Sequence, residues 1–150
     1  MKLTEDRVIA APPDVVWAGI LDAEVLKACI PGCQELTGSP EDGFEATVVQ
    51  KVGPVKATFK GEVTLSDIEP GVGCRLDGQG KGGAAGFAKG GATVRLEPEG
   101  DGTKLSYDVD ANVGGKLAQL GSRLIDSFAR KLADQFFANF QAVMEERAKG

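Results

Sequence analysis

The sequence predicts an α+β fold: a curved antiparallel sheet of about seven strands wrapped around one long C-terminal helix, with two short helices after the first strand. Three observations carry this. Between residues 44 and 113 apolar and polar side chains alternate with a period of two, which marks a sheet with one dry face and one wet face. From about Lys116 the apolar spacing changes to three or four and stays so to Val143, which marks a helix. No other apolar surface in the chain is large enough to cover the dry face of the sheet.

The elements follow in order. Lys2 to Ala10 reads as the first strand. Ala11-Pro12-Pro13-Asp14 stops it and opens a helix whose apolar face is Val15, Val16, Trp17, Ile20 and Leu21. Asp22 caps a second short helix, Ala23 to Cys29, which Pro31-Gly32 ends. Phe44, Ala46 and Val48 then alternate with Glu45, Thr47 and Val49. After a Gly53-Pro54 turn, Val55, Ala57, Phe59, Val63 and Leu65 form the next dry face. Leu76 follows between Arg75 and Asp77. Ala88, Gly90, Ala92, Val94 and Leu96 continue the pattern, and Leu105, Tyr107, Val109, Ala111 and Val113 close it. Glu69-Pro70-Gly71 and Glu99-Gly100-Asp101-Gly102 supply hairpin turns. The helical stripe is Leu117, Leu120, Leu124, Phe128, Leu132, Phe136, Phe140 and Val143, widened by Ile125, Phe137 and Met144. An unbroken helix from 117 to 148 spans about 48 Å. A sheet curled around such a helix is the helix-grip arrangement. No linker or repeat divides the chain, so residues 1–150 are read as a single domain.

Composition removes several functions. The chain has 150 residues, 42% hydrophobic and 26% charged, an ordinary globular balance. A net charge of −5 disfavours nucleic acid as the main partner. There is no histidine, which excludes serine–histidine and cysteine–histidine catalysis and most zinc and non-haem iron sites. Cys29, Cys33 and Cys74 are odd in number and irregularly spaced, and read as free thiols. The acidic, polar N-terminus is unlike a secretion signal, and no stretch approaches the roughly 18 apolar residues of a membrane span. The expectation is a soluble, cytoplasmic protein with no catalytic residues and no metal.

Nine of the 21 glycines fall between Gly71 and Gly91. One reading is mechanical, since a strongly bent sheet needs such points. The other concerns volume. Ala46, Ala57, Gly61, Gly78, Gly80, Ala88, Gly90 and Ala92 fall at inward positions and fill little space, so the sheet leaves a hollow unless the helix closes it. Gly78-Gln79-Gly80-Lys81-Gly82-Gly83 fits G-x-G-x-x-G but precedes a strand rather than a helix, so it is not a dinucleotide site. Val113-Gly114-Gly115-Lys116-Leu117 lacks a phosphate loop's first glycine and final hydroxyl, and is better read as a flexible link or hinge. The loop from Lys81 to Lys89 is either an ordinary hairpin or a lid. As a lid, Phe87 closes the hollow or dips into lipid, and Lys81 and Lys89 meet anionic headgroups. Ile30-Pro31-Gly32-Cys33 forms the opposite lip. The helical stripe can serve both purposes, its first half at the hollow and its second half packed.

With these residues in view, the order of elements, opening its first helix with Ala11-Pro12-Pro13-Asp14-Val15-Val16-Trp17, resembles the START-like (SRPBCC) superfamily. The segments IPGC (30–33), VGPVKATFKGEVTLSDIEP (52–70), GKGGAAGFAKGGATVRL (80–96) and YDVDANVGGKLAQLGSRLID (107–126) resemble the carbon monoxide dehydrogenase CoxG family across nearly the whole chain. The resemblance implies a noncatalytic accessory protein of an aerobic CO dehydrogenase-type molybdenum hydroxylase. It implies recruitment of that enzyme to the inner face of the cell membrane, where electrons reach quinone. A START-like cavity implies a hydrophobic ligand, such as an isoprenoid quinone, and no covalently bound cofactor.

The expected lining is Phe59, Phe87, Leu117, Leu120, Leu124 and Phe128, with Leu26 and Ile30 shaping the mouth. Lys81, Phe87 and Lys89 are the expected membrane or partner contacts. The alternative is an adaptor or assembly factor with a solid core, in which Gly90→Leu changes nothing. A START-like enzyme is a third reading, which would need a buried Asp or Glu at the pocket.

Overall fold

The computed structural model describes residues Met1–Gly150. Strand β1 (Lys2–Ile9) leads into helices α1 (Pro13–Ile20) and α2 (Ala23–Cys29). Strands β2 (Cys33–Ser39), β3 (Gly43–Val52), β4 (Val55–Glu69), β5 (Gly73–Lys81), β6 (Phe87–Glu99) and β7 (Gly102–Gly114) follow, with a single 3-10 turn at Gly83–Ala85. Helices α3 (Lys116–Gln119) and α4 (Ser122–Lys149) complete the chain. The seven strands form one antiparallel sheet in the order β1-β7-β6-β5-β4-β3-β2, with the helices on its inner face. This is the helix-grip arrangement the alternation predicts.

The local signals act as expected. Pro13 occupies the first turn of α1, and the Pro12 carbonyl accepts the Val15 and Val16 N–H groups at 3.1 and 3.2 Å. The Asp22 carboxylate caps α2 by accepting the Glu24 N–H at 2.9 Å. Two features depart from the sequence reading. Cys33–Ser39 is a strand, although its sequence CQELTGS has too little apolar alternation to announce one. And the C-terminal helix is not continuous: it breaks at Gly121 (φ 91°), leaving a four-residue α3 and a 28-residue α4. That conformation suits glycine and ends a helix. Helix α4 alone spans roughly 42 Å.

The space between sheet and helices divides in two along α4. The second half of α4 packs tightly with α1, α2 and the strands beside them, where Ile9, Val16, Cys29, Leu105, Phe140 and Met144 are almost fully buried. Polar contacts pin this half. The Ala10 N–H donates to Glu145 at 2.8 Å, Asn139 donates to the Cys29 carbonyl at 3.0 Å, and Arg147 pairs with Asp22 at 3.1 Å. The Ala10 N–H, with help from Gln141, holds the Glu145 carboxyl below its usual pKa. Tyr107 stacks on Phe137 with ring centroids 4.1 Å apart and donates its hydroxyl to Glu5 at 2.9 Å. Burial, then that hydrogen bond, pushes the phenol pKa up, so it remains a donor. Met144 and Phe140 also press against Gly19, where an added Cβ would collide with the methionine.

Thr103 is fully buried and donates its hydroxyl to the Ala11 carbonyl at 2.7 Å. Thr103→Val keeps the volume but strands a buried carbonyl. The expected loss is about 1–2 kcal/mol in urea unfolding, with the slope of the transition unchanged.

A candidate ligand-binding cavity

The first half of α4 does not close on the sheet. A cavity of about 460 Å³ lies between them, lined by 20 residues of which 17 are hydrophobic. Its walls follow from strand parity. Residues of like parity share a face, so Val48, Gln50 and Val52 on β3, and Val109, Ala111 and Val113 on β7, all reach it. The roof comes from α3 and α4: Leu117, then Ile125, Phe128, Ala129, Leu132, Ala133 and Phe136 at helical spacing. Small residues opposite one another, Gly80 and Ala88 on the strands and Ala129 and Ala133 on the helix, account for the unfilled space.

Gln50 is the only polar side chain in the wall. Its amide donates to the Pro31 carbonyl at 2.5 Å, and the Val49 N–H donates to the Gly32 carbonyl at 2.9 Å. These bonds hold the α2–β2 loop against β3, with Ile30 and Pro31 facing the cavity. No ionisable side chain lines it, and no cluster of cysteines and carboxylates in the chain is arranged to hold a metal ion. Cys29 and Cys74 are buried, Cys33 is half-buried and all three are free. Burial pushes each thiol pKa up, which makes them poor nucleophiles.

Of the residues expected from the sequence, Ile30, Phe59, Leu117 and Phe128 lie together around this cavity, and Leu26, Phe87, Leu120 and Leu124 do not. Each departure has a physical reason. Leu26 follows Val25, which α2 turns into the packed core together with Cys29, so Leu26 points about 100° away. Leu120 ends α3 at the break. Beyond Gly121 the helix starts in a new phase, so Ile125 rather than Leu124 leads the inner face; Leu124 is 37% exposed and lies against the turn at Gly53.

Phe87 is the first residue of β6, adjacent to the inward-facing Ala88, so parity sends it to the outer face. There it is 48% exposed, beside Gly114 and in register with Lys81. The loop instead backs a wall residue: Gly82 lies directly on the Phe59 ring, and a Cβ there would come within 2.5 Å of it.

The cavity residues that sequence reasoning missed were present as signals. Gln50 occupies an in-phase position of the Phe44–Val52 alternation, where a polar residue is out of place. Ile125 and the alanines of α4 were obscured by extrapolating one phase through Gly121.

The glycine cluster serves more than one purpose. Gly80 lines the cavity. Gly78, Gly90 and Gly91 instead floor a polar groove of about 500 Å³ on the outer face, with no hydrophobic residue in its walls. Its Arg75 is already engaged by Asp77 at 3.2 Å and Thr93 at 3.3 Å. A Cβ on Gly90 would sit 2.5 Å from the Asp110 carbonyl and 3.0 Å from the Ala111 Cβ. Gly90→Leu would therefore move backbone rather than simply fill space, whereas a Cβ on Gly80 meets only the Phe59 Cβ at 3.9 Å.

Comparison with known proteins gives the same architecture. Residues 6–145 match the carbon monoxide dehydrogenase CoxG family. The crystal structure of a conserved protein from Geobacillus kaustophilus is similar with a TM-score of 0.90 and 28% identity, over 97% of this chain and 96% of that one. TTHA0849 from Thermus thermophilus shares the fold with a TM-score of 0.72 and 17% identity, over 99% of each chain. CV1439 from Chromobacterium violaceum does so with a TM-score of 0.70 and 18% identity, over 96% of this chain and 97% of that one. The shared fold is the START-like (SRPBCC) fold. No curated protein matches the chain.

Proposed function

Since the chain belongs to the carbon monoxide dehydrogenase CoxG family, we propose that it is a noncatalytic carrier that takes a water-insoluble molecule into its cavity and links CO dehydrogenase to the membrane quinone pool. Family membership points to an accessory role for CO dehydrogenase and implies association with it. Ligand, quinone and membrane link are our own reading. The observation that carries it is the apolar cavity of about 460 Å³ with Gln50 as its one polar side chain.

Water is a poor occupant, because a buried water needs two to four polar partners. Emptiness is also unfavourable. Apolar walls left without a partner forgo the contacts that a guest would supply. A hydrophobic guest resolves both problems. A neutral head suits it, because no side chain in the wall is charged, the Met1 ammonium is already engaged by the Ala111 carbonyl at 2.8 Å, and an unpaired buried charge is strongly disfavoured. A long apolar tail with a small carbonyl-bearing head, as in an isoprenoid quinone, meets these conditions, and the second Gln50 amide hydrogen can donate to such a carbonyl.

In this reading the protein does no covalent chemistry. The cavity shields the ligand, and electrons pass at the partner enzyme. No helix is long and apolar enough to cross a membrane. We place the association at the cytoplasmic face. Organic extraction of the purified chain, with the extract analysed by mass, tests the proposal. Isoprenoid quinone or another neutral lipid is the expected content. If the chain binds CO dehydrogenase yet yields an empty extract and takes up no quinone, it is an adaptor without cargo and the carrier proposal is wrong.

A further inference from the structure

The charges of this chain are sorted by end. In an antiparallel meander successive turns alternate between the two ends of the sheet. The turns after β2, β4 and β6 therefore share one end, and the β3–β4 turn, the β5–β6 loop and the β7–α3 link share the other. At the first end, residues 39–45, 66–72 and 97–101 carry eight carboxylates and no cation. At the second, residues 51–60, 79–89 and 112–125 carry six lysines, Arg123 and no Asp or Glu. A protein with a net charge of −5 thus concentrates seven positive charges at one pole.

These cations have no internal purpose. All seven are exposed, and none belongs to either ion pair of the structure, Arg75–Asp77 or Arg147–Asp22. Lys51 stands directly opposite Lys56, and Lys60 opposite Lys81, an arrangement of like charges that disfavours the folded sheet. Among them lie two exposed apolar side chains, Phe87 and Leu124. The cavity sits at this same end, bounded by Val52, Gly80, Val113 and Leu117 at the ends of the elements that carry the lysines.

We propose that this basic pole docks on an anionic lipid bilayer and turns the cavity toward it. The proposal rests on the carrier reading, because a water-insoluble cargo has to come from a bilayer. Charge complementarity selects the surface. Unpaired lysines meet headgroup phosphates, and Phe87 and Leu124 enter the interface between headgroup and acyl chain. The acidic pole is repelled by the same surface, so the charge separation orients the molecule as well as attracting it.

The test is flotation of the intact chain with vesicles of pure phosphatidylglycerol and of pure phosphatidylcholine. Binding is expected to the first and not the second, with release by added salt. Each charge near such a surface contributes about fivefold, so the combined change Lys51→Gln, Lys56→Gln and Lys60→Gln should weaken binding about a hundredfold. Arg95→Gln, Lys104→Gln and Lys149→Gln together change net charge equally, away from the basic pole, and should leave binding intact. Equal binding to both vesicles, binding to neither, or equal losses in the two triple variants would overturn the proposal. A chain that carries extractable lipid but floats with neither vesicle removes the docking surface and leaves the carrier reading standing. A chain that floats but never carries lipid does the reverse.

Discussion

Gly80→Leu is expected to abolish ligand uptake while making the empty protein more stable. Gly80 faces the cavity from β5, and a Cβ there would meet only the Phe59 Cβ, at an ordinary 3.9 Å. The leucine therefore enters open space rather than displacing its neighbours. Replacing glycine in a strand removes about 0.5–1 kcal/mol of unfolded-state entropy, and the new side chain buries apolar surface worth about 1.5–3 kcal/mol when fully enclosed. Partial enclosure makes a net gain of about 1–2 kcal/mol reasonable. Most substitutions destabilise, so a gain in stability that coincides with loss of function is a specific signature. The pairing of opposite effects is what a hollow kept open for a guest predicts. A drop in stability would mean that the site is already filled by its neighbours.

The second large effect is a contrast between two phenylalanines on one helix. Phe140→Ala should cost about 3–5 kcal/mol, because Phe140 is 1% exposed and packs against Phe136 with centroids 6.0 Å apart. Phe128→Ala, about three turns earlier on the same helix, should cost about 1 kcal/mol in ligand-free protein, because that ring borders a void and has few partner atoms to lose. Urea unfolding of both variants after lipid removal measures the difference. Addition of ligand should widen the gap between wild type and Phe128→Ala, because only the occupied cavity gives that ring a full set of contacts.

Much of this was legible in the sequence. Alternation from Phe44 to Val113 determines which face of each strand is dry, and therefore the inward placement of Phe59, Gly80 and Ala88. The division of the helix into a cavity half and a packed half also follows from its stripe. The errors arise where one residue resets a phase. Gly121 breaks the helix and rotates Leu124 outward, which periodicity alone does not reveal because glycine is tolerated within helices. Placing Phe87 at the cavity assumes that its loop is free to fold inward; β6 begins at Phe87, so pleat parity decides instead. Leu26 follows from position in the chain rather than from helix face. Strand β2 escapes detection because a short edge strand needs little apolar patterning to pair. The sorting of charge becomes readable only after strand order has placed alternate turns at opposite ends.

The most direct measurement is a native mass spectrum of the intact chain before and after incubation with a long-chain isoprenoid quinone, beside Gly80→Leu treated identically. The account predicts that the wild-type mass rises by one bound molecule and that the variant's does not. A wild-type chain that stays bare, or a variant that takes up the quinone equally well, would contradict it.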